Sequence, residues 1–497
     1  GQAATASAFV PVEDSASDEP PALRNTYLIQ GAMIHTLTSQ GDFVGDILIR
    51  SGKIATVAEK ISLRKPVPVI EAAGLHAVPG LCDAQSFYLS DGNGAPSTQI
   101  QGDVLDAIDF FNDDEIEQAL SRGITTLCLA PPCENGFSGR AAVVKLIPDQ
   151  GLDAMILKRD VALKAGIGKP EPGFALARVK SVRDLAKALQ GAREYQEAWA
   201  DYREELEEYL KILEENRPKA DSESKALPEG EKPPEAKDQA EKPETPETQP
   251  ETQKEKQALD RCASTPALRE RGELPEHGPK KGDGGKEKPD AAKKEDPEKE
   301  GPKKPQPPAY DVAKELLVKA LEGETALHIE VHRAADILAA LDLRRKYPVD
   351  LVLVGCTEGK LVIEEIKEAG LSVILGQVER PGDDRWNGYY NHSPDLAACF
   401  HAREIPFALS CSGGGARSVR YLALNAAQAV GHGLSMNAAL ESITLKPAEI
   451  LGVAEKVGSL AKGKDADIVL FDKPPLESDA RVMRVLINGV EVYAHEK

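Results

Sequence analysis

From Thr26 the chain runs in short apolar stretches broken by glycine. Tyr27-Leu28-Ile29, Ala32-Met33-Ile34, Asp46–Ile49 and Lys53–Val57 are interrupted at Gly31, Gly45 and Gly52, the texture of short strands joined by tight turns. The far end repeats it in Ala466–Phe471 and Val485–Val492. Two β-rich ends around a central block predict that the termini combine into one small β-sandwich. Between them, strand and helix signals alternate. Arg122-Gly123 closes a helix and leads into Ile124–Cys128, and Leu327–His332 is a strand with a helix from Ala334. Val349–Gly355 is apolar enough for a fully buried parallel strand. Leu371–Gly376 and Pro406–Ser410 follow at regular intervals, and Ser418–Val430 is a helix stopped by Gly431. The alternation predicts an α/β fold built as a TIM-type (β/α)8 barrel.

One region breaks this rhythm. Ser181 to Asn216 places Leu185, Leu189, Tyr195, Trp199, Tyr202, Leu206 and Leu213 at helical spacing, over a length that predicts a helix projecting from the barrel. Residues 217 to 308 are mostly Lys, Glu, Pro, Asp and Gln. Such a stretch buries too little apolar area to offset its chain entropy; it reads as a long charged disordered insertion, a solvated spacer or a tether that orders on a partner. The expected organisation is a flexible extension over 1–24, a composite β-sandwich from 25–77 and 453–497, a barrel from 78–190 and 310–452, and the helix with its insertion over 191–309. A net charge of −20 excludes the basic surface that non-specific nucleic-acid binding needs. No apolar run is long enough for a membrane span. Seven cysteines are scattered without a C-x-x-C pair, so neither a disulfide framework nor a zinc knuckle is expected. The opening Gly1-Gln2-Ala3-Ala4 resembles a processed N-terminus, giving an expected periplasmic or extracellular location.

The candidate chemistry centres on Val78–Phe87, an apolar run entering a strand after Pro79-Gly80. It closely resembles the first barrel strand of the amidohydrolase superfamily, whose form is P-G-L-I-D-x-H-x-H. The far end is similar to that family too, in Lys446–Gly452, Gly458-Ser459-Leu460, Gly463–Val469 and Ile487-Asn488-Gly489. Gly123–Thr126, Gly139–Lys145, Ala192–Tyr195, His328–Ala334 and Thr357-Glu358-Gly359 resemble a secreted, imidazolonepropionase-like subgroup. The resemblance implies a barrel with a two-ended β-sandwich and hydrolysis of carbon–nitrogen bonds by a metal-activated water. It implies metal ligands at two His of the first strand, a His on strand five, a His ending strand six and an Asp ending strand eight. Carried over residue by residue, those positions hold Gln85, Phe87, Glu330, Gly355 and Ser412. The bridging Lys of many members falls at Lys145 or Lys158.

Gln is a poor zinc ligand, and Phe, Gly and Ser offer little. Activating a water needs a metal held by several donors, so a lost metal site, no metal and no cofactor are expected. A relocated set is the alternative. His328, Glu330 and His332 alternate along one strand face, with Asp83 inward two residues before Gln85. Asp83, Lys145, His328 and His332 then form a possible residual pocket. The same alternation turns Cys82 and Cys411 outward, toward the helices, as core thiols. Ser412–Gly415 reads as a flexible turn, because no Lys-Ser/Thr pair follows it. The expected function is an amidohydrolase-family pseudoenzyme serving as structural or regulatory subunit of a homo-oligomer, or of a hetero-oligomer with an active paralogue. A hydrolase of non-peptide amide bonds with a rearranged site is one alternative, and a small-ligand-binding barrel another. Tyr195, Trp199 and Tyr202 are exposed interface aromatics if their helix projects.

Overall fold

A computed structural model describes residues 26–88, 100–110, 113–132, 135–168, 177–215, 303–379, 391–411 and 416–495. The 1–24 extension and residues 217–302 of the insertion predicted from sequence lie outside these residues. The chain divides into two compact units, 1–204 with 306–497 and 205–305. Among the described residues the second holds little more than the end of one long helix.

In chain order the first five strands are β1 (Thr26–His35), β2 (Asp42–Arg50), β3 (Lys53–Ala58), β4 (Val69–Glu71) and β5 (His76–Pro79). The barrel follows with β6 (Leu81–Ser86), α1 (Asp113–Leu120), β7 (Ile124–Leu129), β8 (Gly136–Lys145), α2 (Leu152–Met155) and β9 (Ile156–Gly166). Next come α3 (Ala177–Glu215), α4 (Val312–Leu321), β10 (Ala326–Val331), α5 (Ala334–Lys346), β11 (Leu351–Gly355), α6 (Ile363–Ala369), β12 (Ser372–Leu375), α7 (Leu396–Ala402) and β13 (Phe407–Leu409). The end supplies α8 (Leu422–Gly431), α9 (Met436–Ser442), α10 (Leu445–Ile450), β14 (Ile468–Phe471), β15 (Val482–Ile487) and β16 (Val490–Ala494).

The β-rich chain ends, expected as a β-sandwich, meet in a single sheet. They enter one continuous hydrogen-bonded sheet, in which β14 pairs antiparallel with β5 and Val469 faces Val78. Alternation gives this sheet two apolar faces. Ile29, Ile34, Ile47, Ile49, Ile468 and Leu470 form its own core, while Val78, Val469 and Phe471 join the main cluster with the barrel helices. A buried ionic knot fastens the two. Lys145, the last residue of β8, lies 2.8 Å from Asp465 Oδ2 and 2.9 Å from Asp467 Oδ2, and donates to Asn488 Oδ1 at 2.6 Å.

The barrel sheet runs β6 to β13 in sequence order, but it departs from an all-parallel (β/α)8 design. β8 is antiparallel to both β7 and β9. The reason is chain length: β7 ends at Leu129 and β8 starts at Gly136, while a parallel crossover takes about a dozen residues or more. Gly80 explains the Pro-Gly entry to β6. A Cβ there would lie 2.0 Å from Thr125 Oγ1, so only glycine lets β6 approach β7. Between β6 and β13 no ladder is formed. Ser410 Oγ donates to the Gln85 carbonyl at 2.8 Å, and α10 packs on both strands.

Helix α3 spans 39 residues, and its first half is not free. Leu185, Leu189 and Ala192 belong to the main core. Tyr195 is buried, donates to Glu315 Oε1 at 2.7 Å and lies under the Lys314 ammonium. This corrects the expectation of an exposed Tyr195. Trp199 and Tyr202 continue the ladder edge-to-face and are half-buried. The thiols also divide differently from the simple parity argument. Cys411 and Cys356 pack in the main cluster. Cys82 instead packs with Cys128, Ala162 and Ala448, on the lumen side, because the register of β6 shifts after Leu81 and again between Asp83 and Ser86.

Candidate functional site

Parallel pairing sets His328 beside Lys164 and Glu330 beside Gly166. Leu163, Ala165, Leu327 and Ile329 join the main cluster outside the barrel, so Lys164, His328 and Glu330, at the intervening positions, point into the lumen. Gln85 arrives from β6. The Lys164 side chain is fully buried, donates to Gln85 Oε1 and lies 3.4 Å from Glu330 Oε2. Gln85 Nε2 reaches the same carboxylate oxygen at 3.4 Å. A buried ammonium is tolerated only with such partners; the three side chains form a closed, charge-neutral centre.

Around it, Glu330 Oε1 stands 3.7 Å from His332 Nε2, and His332 Nδ1 bonds Thr357 Oγ1 at 2.8 Å. Gly355 has φ +88°, and a Cβ built on it would lie 2.6 Å from His332 Cε1. His332 therefore fills the space that a side chain from the end of β11 would need. Glu358 is used structurally: it accepts from the Ala334 N–H at 2.9 Å and from Asn391 Nδ2 at 2.8 Å.

Below this level the lumen carries two buried titratable groups. Burial raises the Asp83 carboxyl to about 7, with the polar Ser410, Gln85 and Cys411 groups around it opposing the rise. Asp83 Oδ1 accepts the Gln85 N–H at 3.1 Å, and Oδ2 has no hydrogen-bond partner. Burial, helped by the Lys164 and Lys158 charges, lowers His328 to about 3; its Nε2 is buried without a partner. His328 is thus a neutral imidazole at ordinary pH. Burial also pushes the nearby Cys128 thiol up to about 12, which removes it as a nucleophile.

The structure brings together Gln85, Glu330 and His332, with Asp83 and His328 in the same lumen. It does not bring Lys145, which belongs to the ionic knot under the terminal sheet. Nor does Lys158 reach the centre, since its Nζ donates to the Leu451 carbonyl at 3.0 Å. Phe87 follows the end of β6 and is half-buried. Ser412 lies outside the described residues. The residue that sequence reading missed is Lys164. Its signal was legible: a lone Lys inside the apolar run Val161–Gly166 has to find a buried partner.

The donor set does not fit the metal that the family resemblance implies. Among the described residues, no group of three or more His, Cys, Asp or Glu side chains could hold a metal ion. The place between Gln85 and Glu330 is taken by an ammonium group, whose charge opposes a divalent ion.

The similarity in sequence to known proteins lies in the last part of the barrel and the closing strands. Residues 391–492 match the amidohydrolase family. The amidohydrolase match runs from α7 through β13 and the helices beyond it into β16. Over 72 residues the chain is 39% identical to amidohydrolase tasK of Hapsidospora irregularis, covering 14% of this chain and 7% of that one. Over 105 residues it is 32% identical to a dihydroorotase of Elusimicrobium minutum (strain Pei191), covering 21% of each. The chain therefore spans well under two thirds of these curated relatives. The crystal structure of an amidohydrolase from Thermotoga maritima MSB8 superimposes with a TM-score of 0.65 at 20% identity, covering 94% of this chain and all of that one. That likeness shows a shared barrel fold.

Proposed function

We propose that this chain is an amidohydrolase-fold pseudoenzyme, a barrel that keeps the family scaffold without its water-activating centre. One observation carries the reading: the Lys164 ammonium stands between Gln85 and Glu330, two of the positions where the family resemblance puts metal ligands. The fixed cation satisfies Glu330 internally, so the centre is stabilised without an added ion. His332 supports it by filling the space next to Gly355. A rearranged hydrolase gains little from the remaining groups. Asp83 and His328 are both buried beneath the ion pair, and a general base must reach its substrate proton.

A barrel of this kind acts through what it binds or assembles with, as structural or regulatory subunit. The distal end of α3, with Leu210, Ile212 and Leu213 exposed, is the assembly element in this proposal. Elemental analysis of protein purified without chelator or His-tag tests the core of the reading. Less than about a tenth of a metal ion per chain is expected, because a water-activating site holds its metal stoichiometrically; one equivalent of a transition metal would refute it. Light scattering on a variant lacking 217–308 tests the assembly role. A smaller oligomer with the fold retained is expected; an unchanged mass would remove the insertion from the interface, and an unchanged mass for a Leu210→Gln, Leu213→Gln variant would remove the distal helix.

A further inference from the structure

We infer that the protein carries a second ligand site, a cleft for a small organic anion with an apolar body, formed where α8 faces the β14–β15 connection. It is independent of the barrel centre. The cleft has a volume of about 490 Å³, within the range of small-molecule sites.

Its lining is sorted by chemistry. Leu424, Phe471, Val482 and Tyr493 make an apolar wall, and Arg122, Arg420 and Arg481 stand around it. Only one carboxylate, Glu477, shares the lining. In a chain of net charge −20, a cleft with three guanidinium groups against one acid is a marked local reversal of sign. Arg420 is engaged with Gln118 Oε1 at 2.5 Å. The Arg122 and Arg481 guanidinium groups have no carboxylate within ion-pair distance among the described residues; Asp479, which Arg481 stabilises through space, is paired with Lys473, and Asp472 accepts the Arg481 backbone N–H at 2.7 Å. Guanidinium groups bind carboxylates and sulfonates through two parallel hydrogen bonds. The exposed side chains of Tyr421 and Leu424 beside these arginines supply the contact surface for the ligand body. Apolar wall and the Arg122 and Arg481 cations on one concave surface select an aryl or acyl carboxylate over either a bare anion or a neutral hydrocarbon.

Calorimetric titration of the full chain with 4-phenylbutyrate, and in parallel with its neutral analogue 4-phenyl-1-butanol, tests this. One saturable site per chain is expected for the acid, with the alcohol weaker by about tenfold or more, the loss of a charge-assisted hydrogen bond. Arg122→Gln combined with Arg481→Gln should weaken the acid by a similar factor. Both residues are exposed, so the fold is retained, and Lys446→Gln on another face should leave binding unchanged. Absence of saturable binding, equal affinity for acid and alcohol, or an unaffected arginine double variant would each overturn the proposal.

Discussion

Replacing Lys145 by Met removes the cation from the knot that ties β8 to the terminal sheet. At 2.8 and 2.9 Å each carboxylate interacts with Lys145 by about 6 kcal/mol in gross Coulomb energy at an effective dielectric of 20. Most of that is offset by the cost of burying the ions. The variant keeps the burial cost of Asp467, whose side chain is 3% exposed, and loses its counter-ion. Asp465 retains Lys53 at 2.7 Å, but Asp467 has only the Asn488 N–H at 2.8 Å. Breaking one side of a buried pair costs about 3–5 kcal/mol, and that is the loss expected at pH 8. The pH dependence supplies a sign. Burial already holds the Asp467 carboxyl above its ordinary range, with Lys145 opposing, and removing Lys145 raises it further. A carboxyl that is more basic when folded favours folding as pH falls, so the penalty should shrink from pH 8 to pH 5. Urea unfolding of the two proteins at both pH values measures it through the midpoint shift. A variant within about 1 kcal/mol of the parent at pH 8, well below the cost of an orphaned buried charge, would refute the reasoning. So would a penalty that grows on acidification.

Three further outcomes are expected. Gly80→Ala should destabilise by about 3 kcal/mol, the upper end for overpacking, since its Cβ would meet Thr125 on three atoms within 2.8 Å; an unchanged melting temperature would show that β6 can shift. Gly355→His, which restores a family ligand type, should cost about 1–3 kcal/mol in backbone strain alone and take up no zinc, read by thermal melting with and without the ion; stoichiometric zinc uptake would contradict the closed-centre reading. Asp83 and His328 impose opposite pH slopes. Asp83, raised to about 7, makes stability fall as pH rises from its unfolded value to 7. His328, lowered to about 3, makes it fall as pH drops below its unfolded value near 6.5. Asp83→Asn should therefore unmask the His328 limb, and the stability difference from the parent should rise by up to about 1.4 kcal/mol per pH unit between 4 and 6.5. A flat difference would mean that the Asp83 carboxyl titrates normally.

Much of the barrel was legible because its strands are short apolar runs punctuated by glycine, and the terminal pairing because both chain ends share that texture. What escaped had specific causes. The antiparallel β8 was hidden because periodicity carries no direction; only the length of the Ala130–Asn135 gap speaks to it. Cys82 was assigned to the wrong face because counting in twos fails across a register shift. Lys145 was placed with the site because the family resemblance offered it as a bridging Lys, but β8 runs antiparallel to its neighbours, so its end meets the opposite side of the barrel. Lys164 was missed because its run was not read as a strand at all, although a single charged residue among Val161, Ala162, Leu163 and Ala165 is the pattern of a buried ion pair.

The pairing of β5 with β14 has a consequence for biosynthesis. Val78 leaves the ribosome long before Val469, its partner across the ladder. At 5–20 residues per second the wait is roughly 20–80 s. During that time the β5 edge is open, and the Ile29–Ile34 face lacks the Ile468 and Leu470 side chains that complete its core. An uncovered apolar edge recruits other strands, so the nascent chain has to be shielded until its last three strands emerge. Truncations before β14 should accumulate as aggregates or chaperone-bound chains, because the first sheet to be made is also the last to be finished.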